Sequence, residues 1–242
     1  MNDNRLSGIA MIAGQAGLLL TLSLHPSGKI TPAQVDQMVH KLIAVHSIAL
    51  AGLPLMILGA LGLTRLLSSF NRYRLSVAAF VIYSFAIAAS LSGIVIDGLV
   101  MPHILPRLAE AAQAASAASG GQGAPPASGE VWRALIKYNG YLDMAFVQLS
   151  LVATAIAVIT WSIVMFVDRT LPRAIGVYGV TLGVVALAAL FSGALGAEHA
   201  LMIIVFGQAT WFLIVGGLLC ARAEPVGGAE TPIAKSTWMP AR

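Results

Sequence analysis

The sequence predicts an all-α polytopic membrane protein with six transmembrane helices and both termini in the cytoplasm, and three observations carry that reading. Only 10% of the 242 residues are charged and 58% are hydrophobic. A soluble domain carries about 25% charged residues, so this chain lacks the polar surface that water demands. Six apolar stretches approach the roughly 20 residues that cross about 30 Å of hydrocarbon as a helix; they fall at about 6–25, 45–66, 75–96, 145–167, 174–193 and 201–220. The alternation that marks a membrane barrel is absent. In lipid, a helix then remains the way to satisfy each backbone polar group within its own segment.

The first span follows Arg5 and is too long for the apolar core of a cleaved signal, with no A-x-A site after it. It reads as a retained helix. The second span is preceded by "TPAQ", in which Thr31 suits an N-cap, Pro32 the first helical position and Gln34 the return bond of a capping box. This predicts a helix of about 36 residues ending near Leu67, roughly 54 Å at 1.5 Å per residue, whose first turns stand outside the bilayer. The third span runs outward through "IDGLVMPHILPRLAEAAQAAS", where Pro102 and Pro106 predict kinks. "SGGQGAPPASGE" has no apolar period and predicts a flexible outer loop at about 112–129. The fourth helix restarts near Glu130, and Trp132, Tyr138 and Tyr141 are placed for an interfacial aromatic belt. Small residues at Ala10, Gly14 and Gly17, and at Gly176, Gly179 and Gly183, allow the close helix packing that membrane bundles use. The chain therefore divides into a six-helix transmembrane domain at 1–222 and a polar, disordered cytoplasmic tail at 223–242.

Orientation comes from the short connections. Arg65, Arg72 and Arg74 lie between spans two and three, Arg169 and Arg173 between four and five, and Arg222, Lys235 and Arg242 follow the last span. The positive-inside rule puts these in the cytoplasm, so both termini of the multi-pass chain are expected there. The net charge of +4 thus arises from insertion and implies no nucleic-acid partner. Its partners are the lipid bilayer, a small ligand from the extracytoplasmic side, or a subunit of a membrane complex. The single Cys220 excludes an intrachain disulfide.

All five histidines and most carboxylates outside the tail project to the outer half of the bundle. His25 ends span one, His46 and Asp97 lie near the outer boundaries of spans two and three, Asp143 sits just outside span four, and Glu198 and His199 open span six. Charge at membrane depth is costly and faces the bundle interior, so His46 and Asp97 are expected to form a proton-sensitive pair inside the bundle. His40, in water and on another face, is expected to be dispensable. Gln15 and Gln208 place amides in hydrocarbon, where each needs a partner, and they are candidates for a polar path inward. The competing reading is a boundary belt of residues that reach headgroups and water.

Local spacing supports no metal site. His40 and His46 are six apart, about 120° out of line on a helix, and H-E-x-x-H is absent. A site assembled from His25, His46 and His199 is conceivable in space. A hydrolase is disfavoured, since there is no G-x-S-x-G elbow and Cys220 lies opposite every histidine.

The stretches "RLSGIAMIAG", "LHPSG", "VHSIALAGLPLMILGALGL" and "GQATWFLIVGGLL" resemble a group of small bacterial six-helix inner-membrane proteins of unknown function. The resemblance covers most of the membrane part and implies a fold and a location, with no activity attached. Three functions remain open. The first is a small transporter or ligand-binding membrane protein that uses the outer polar ring. The second is a membrane-embedded enzyme with a metal or haem. The third is an accessory subunit.

Overall fold

A computed structural model describes residues 3–25, 34–68, 72–118, 127–193 and 198–222. Seven α-helices make up the described chain: α1 (Asp3–Leu24), α2 (Val35–Ser68), α3 (Tyr73–Val95), α4 (Met101–Ala118), α5 (Ala127–Asp168), α6 (Arg173–Phe191) and α7 (Glu198–Ala221). A π-helical turn, Ile96–Val100, joins α3 to α4. No strand occurs among the described residues. Six helices are long and apolar enough to cross a membrane, α3 and α4 counting as one.

The differences from the sequence expectations have local causes. Thr31 and Pro32 of the expected capping box lie outside the described residues, and α2 starts at Val35 and runs 34 residues straight through Pro54. The irregularity expected at Pro102 sits one turn earlier. Pro102 has no N–H to offer the Gly98 carbonyl and its ring crowds that carbonyl. The chain answers with a wider turn, in which the Met101 N–H bonds the Ile96 carbonyl five residues back. The connection expected at 112–129 is helical at both ends, to Ala118 and from Ala127, and residues 119–126 lie outside the described residues, as does the tail from 223.

The six long apolar helices close into a ring in the order α1, α2, α3, α5, α6, α7, and α7 returns to α1. Glycines set how closely neighbours approach. A Cβ on Gly14 would lie 2.8 Å from the Gly52 carbonyl oxygen, and one on Gly52 would lie 3.0 Å from that of Gly14. No side chain fits at that crossing of α1 and α2. Gly59 rests on Met11 and Gly62 on Ser7 in the same way. Gly176, Gly179 and Gly183 of α6 face Phe166, Ser162 and Ile159 of α5. These small residues thus serve contacts within the chain, where they let helix backbones approach closely.

At the end where α1 begins and α7 finishes, the arginine end, the interior is tightly filled. Met11, Met56, Leu63, Leu67, Trp161, Met165, Trp211, Val215 and Leu219 are fully buried there. The Trp161 and Trp211 rings stack at 6.3 Å, and Tyr83 packs on Trp161 and Phe212. Arg72 meets Asp168 at 3.6 Å across the two turns at this end.

Candidate functional site

The opposite end of the ring is built differently. α1 and α7 touch backbone to backbone at Gly8 and Gly216 near the arginine end. Towards the other end a cavity of about 470 Å³ lies between them, lined by Leu18 and Leu22 of α1, Val205 and Gln208 of α7, and parts of α2, α3 and α5. Exposed His25, Met144 and Met202 are on its rim. Its walls are mainly aliphatic, with Ile87, Ile94, Val147 and Leu151 among them, and Tyr83 and Phe212 close its floor.

The polar groups at its head come from three helical elements. Thr21 Oγ donates to the Val45 carbonyl oxygen of α2 at 2.9 Å, which fixes the end of α1 beside His46. One turn later His25 brings Nε2 to 2.8 Å from Asp97 Oδ2. His46, 6% exposed against the exposed His40, brings its own Nε2 to 3.3 Å from the same oxygen. The two imidazoles meet edge to face with centroids 5.3 Å apart. Asp97 owes its position to the π turn, and the same turn presses Gly98 against the His46 Cβ, where no larger residue fits. A single carboxylate oxygen is therefore held between two imidazoles.

His46 Nδ1 lies 2.8 Å from the Leu42 carbonyl oxygen one turn earlier. A carbonyl only accepts, so Nδ1 carries the proton and donates. In the neutral ring the nitrogen facing Asp97 and His25 is then the one with the lone pair. With that tautomer the ring is a ligand or a proton acceptor at Nε2, and it becomes a donor to Asp97 only when doubly protonated.

The structure brings together His25, His46 and Asp97 of the residues singled out from sequence. Asp143 lines the same cavity, with Oδ1 against Gly93 of α3, where a Cβ would stand 2.9 Å away. Gln15 and Gln208, both buried, line its deeper part, and Gln208 Nε2 donates to the Leu151 carbonyl oxygen at 3.4 Å. Glu198 and His199 open α7 at this end, and their side chains lie outside the described residues. The sequence reading missed the hydroxyls of the cavity wall, Thr154 and the pair Ser90 and Ser150, whose Oγ atoms are 2.7 Å apart. Isolated hydroxyls in apolar helices give no signal. Gly93 and Gly98, flanking Asp97, were a usable one, since glycine inside a helix marks close approach.

No protein-family model matches the chain, and neither curated proteins nor solved structures provide a match.

Proposed function

We propose that this chain is a multi-pass protein of the bacterial inner membrane that binds a small ligand in the cavity headed by His25, His46 and Asp97, and serves as a small transporter or ligand-binding protein. One observation carries the reading: a cavity of about 470 Å³ with aliphatic walls ends in a cluster of two imidazoles and two carboxylates. Small-molecule sites run from about 300 to 1,000 Å³ and combine apolar walls with a few fixed polar groups. Ionisable groups at membrane depth are costly and mark binding or proton paths when they face a bundle interior. The ligand class that fits has an apolar body and one polar or basic end.

Native mass spectrometry of the full-length protein with octylamine, an apolar chain bearing one basic nitrogen, tests this. The wild type should carry one octylamine per chain, and Val147→Trp, which puts an indole into the cavity, should carry less. Equal adducts on both proteins would end the cavity reading.

In this reading the histidine end faces outward, because the short connections rich in arginine lie at the other end. Cysteines replacing Ser119 and Ser236 in a Cys220→Ala background report the sidedness. A membrane-impermeant thiol reagent added to intact cells should modify the first and spare the second, and the reverse pattern turns the protein over.

A further inference from the structure

We propose that His25, His46 and Asp97 form a binding site for one divalent first-row transition-metal ion, zinc being the type ion, with an open coordination position towards the cavity. The proposal stands on the three side chains alone and requires no ligand in the cavity. Their donor atoms, two imidazole nitrogens and a carboxylate oxygen, all lie within 4.8 Å of one another. In a tetrahedral zinc site with metal–nitrogen and metal–oxygen distances near 2.1 Å, neighbouring donors sit about 3.4 Å apart. The His46 to Asp97 edge is 3.3 Å and the His25 to Asp97 edge is 2.8 Å. Seating an ion needs the His25 to Asp97 edge to open by roughly half an ångström and the edge between the two imidazoles, which lies within 4.8 Å, to settle near the same tetrahedral value.

Three further features point the same way. The Nδ1–H of His46 is tied to the Leu42 carbonyl, which leaves Nε2 unprotonated and aimed into the triangle. Metal-bound histidines characteristically make such a second hydrogen bond, which fixes tautomer and ring orientation. Next, Asp97 is a carboxylate in a helix long and apolar enough to span a membrane, and a dication supported by two neutral imidazoles compensates that charge. Finally, three protein ligands with a vacant position is the arrangement of metal sites that act on a bound molecule, whereas structural sites use four protein ligands. Two histidines and one carboxylate suit zinc or iron(II) and disfavour magnesium or calcium, which take oxygen ligands.

The test uses the full-length protein in detergent with its purification tag removed, stripped by chelator and titrated with zinc alone or cobalt(II) alone. After desalting, the wild type should retain one ion per chain. Asp97→Ala and His46→Ala should retain none. His25→Ala should bind at least about tenfold more weakly, the lower bound seen when even a supporting contact of a metal site is lost. His25 is exposed at the end of α1, so its replacement leaves folding intact and keeps the test decisive if the buried variants misfold. His40→Ala and His103→Ala, both at exposed positions, should bind as the wild type does. Cobalt should give visible ligand-field bands in the wild type and in Val147→Trp, and none in His25→Ala. A wild type that retains neither ion, or a loss in His40→Ala as large as in His25→Ala, would overturn the site and leave a hydrogen-bonded His–Asp–His cluster. Because Val147→Trp obstructs the cavity wall and does not touch the three ligating side chains, metal retention there separates this proposal from the fate of the cavity reading.

Discussion

The two ends of this bundle use the same helices for opposite purposes. At the arginine end α1 lies on α7 through Gly8 and Gly216, and two stacked indoles with several methionines and leucines fill the interior. At the histidine end the same two helices leave a cavity, and the groups that face it include imidazoles, carboxylates and amides. Among the described residues, packing is tight at the arginine end, and it is given up where polar groups gather. The dry half acts as a clamp. It holds the spans in register so that three residues 21 or more positions apart in the chain can meet at one oxygen.

That contrast can be broken from either side. The largest effect is expected in the dry half. Trp161→Ala removes a fully buried side chain that rests on Trp211 and Tyr83, and should cost about 3–5 kcal/mol in the lost contacts and the cavity left behind. Reversible unfolding in mixed micelles measures it, and a cost under about 1.5 kcal/mol would mean that this half is no clamp. A smaller loss is expected at the α1–α2 crossing. Gly14→Leu has nowhere to place a side chain and should cost about 1–3 kcal/mol as overpacking. At Gly17 an added Cβ would find Ile48 at an ordinary 3.7 Å, so Gly17→Ala should stay within about 0.5 kcal/mol of wild type.

The smallest stability effects belong to the histidine end. His40→Ala, at an exposed position, should change stability by less than about 0.5 kcal/mol and leave octylamine binding untouched. His46→Ala should abolish that binding under the same assay. Equal behaviour of the two variants in the binding assay would reduce the histidines to a boundary belt.

Much of the fold was legible in the sequence, because length and apolarity alone set the number of spans. The shared level of His46 and Asp97 in the bundle was legible too. Projecting His46 and Asp97 onto one bilayer placed them at the same level, and a charge at that level needs an interior partner. The partnership of His25 with Asp97 was not legible, since it depends on how far α1 rises beside α2 and on a π turn that rotates Asp97 inward. The metal-type triangle was equally hidden. Spacing rules detect ligands that share one helix face, whereas these three come from α1, α2 and the turn after α3. The expected role of His199 rested on its place at the start of α7, and its side chain lies outside the described residues.

The two halves of the bundle differ in access to small solutes, and thiol modification reads that difference. In a Cys220→Ala background, Ser150→Cys places a thiol on the cavity wall and Ser162→Cys places one in the dry half, where Ser162 is fully buried. A small water-soluble thiol reagent applied to the purified, folded protein should modify the first within the time that leaves the second untouched, and octylamine should slow that modification. Equal protection of both thiols, or faster reaction at position 162, would contradict the account.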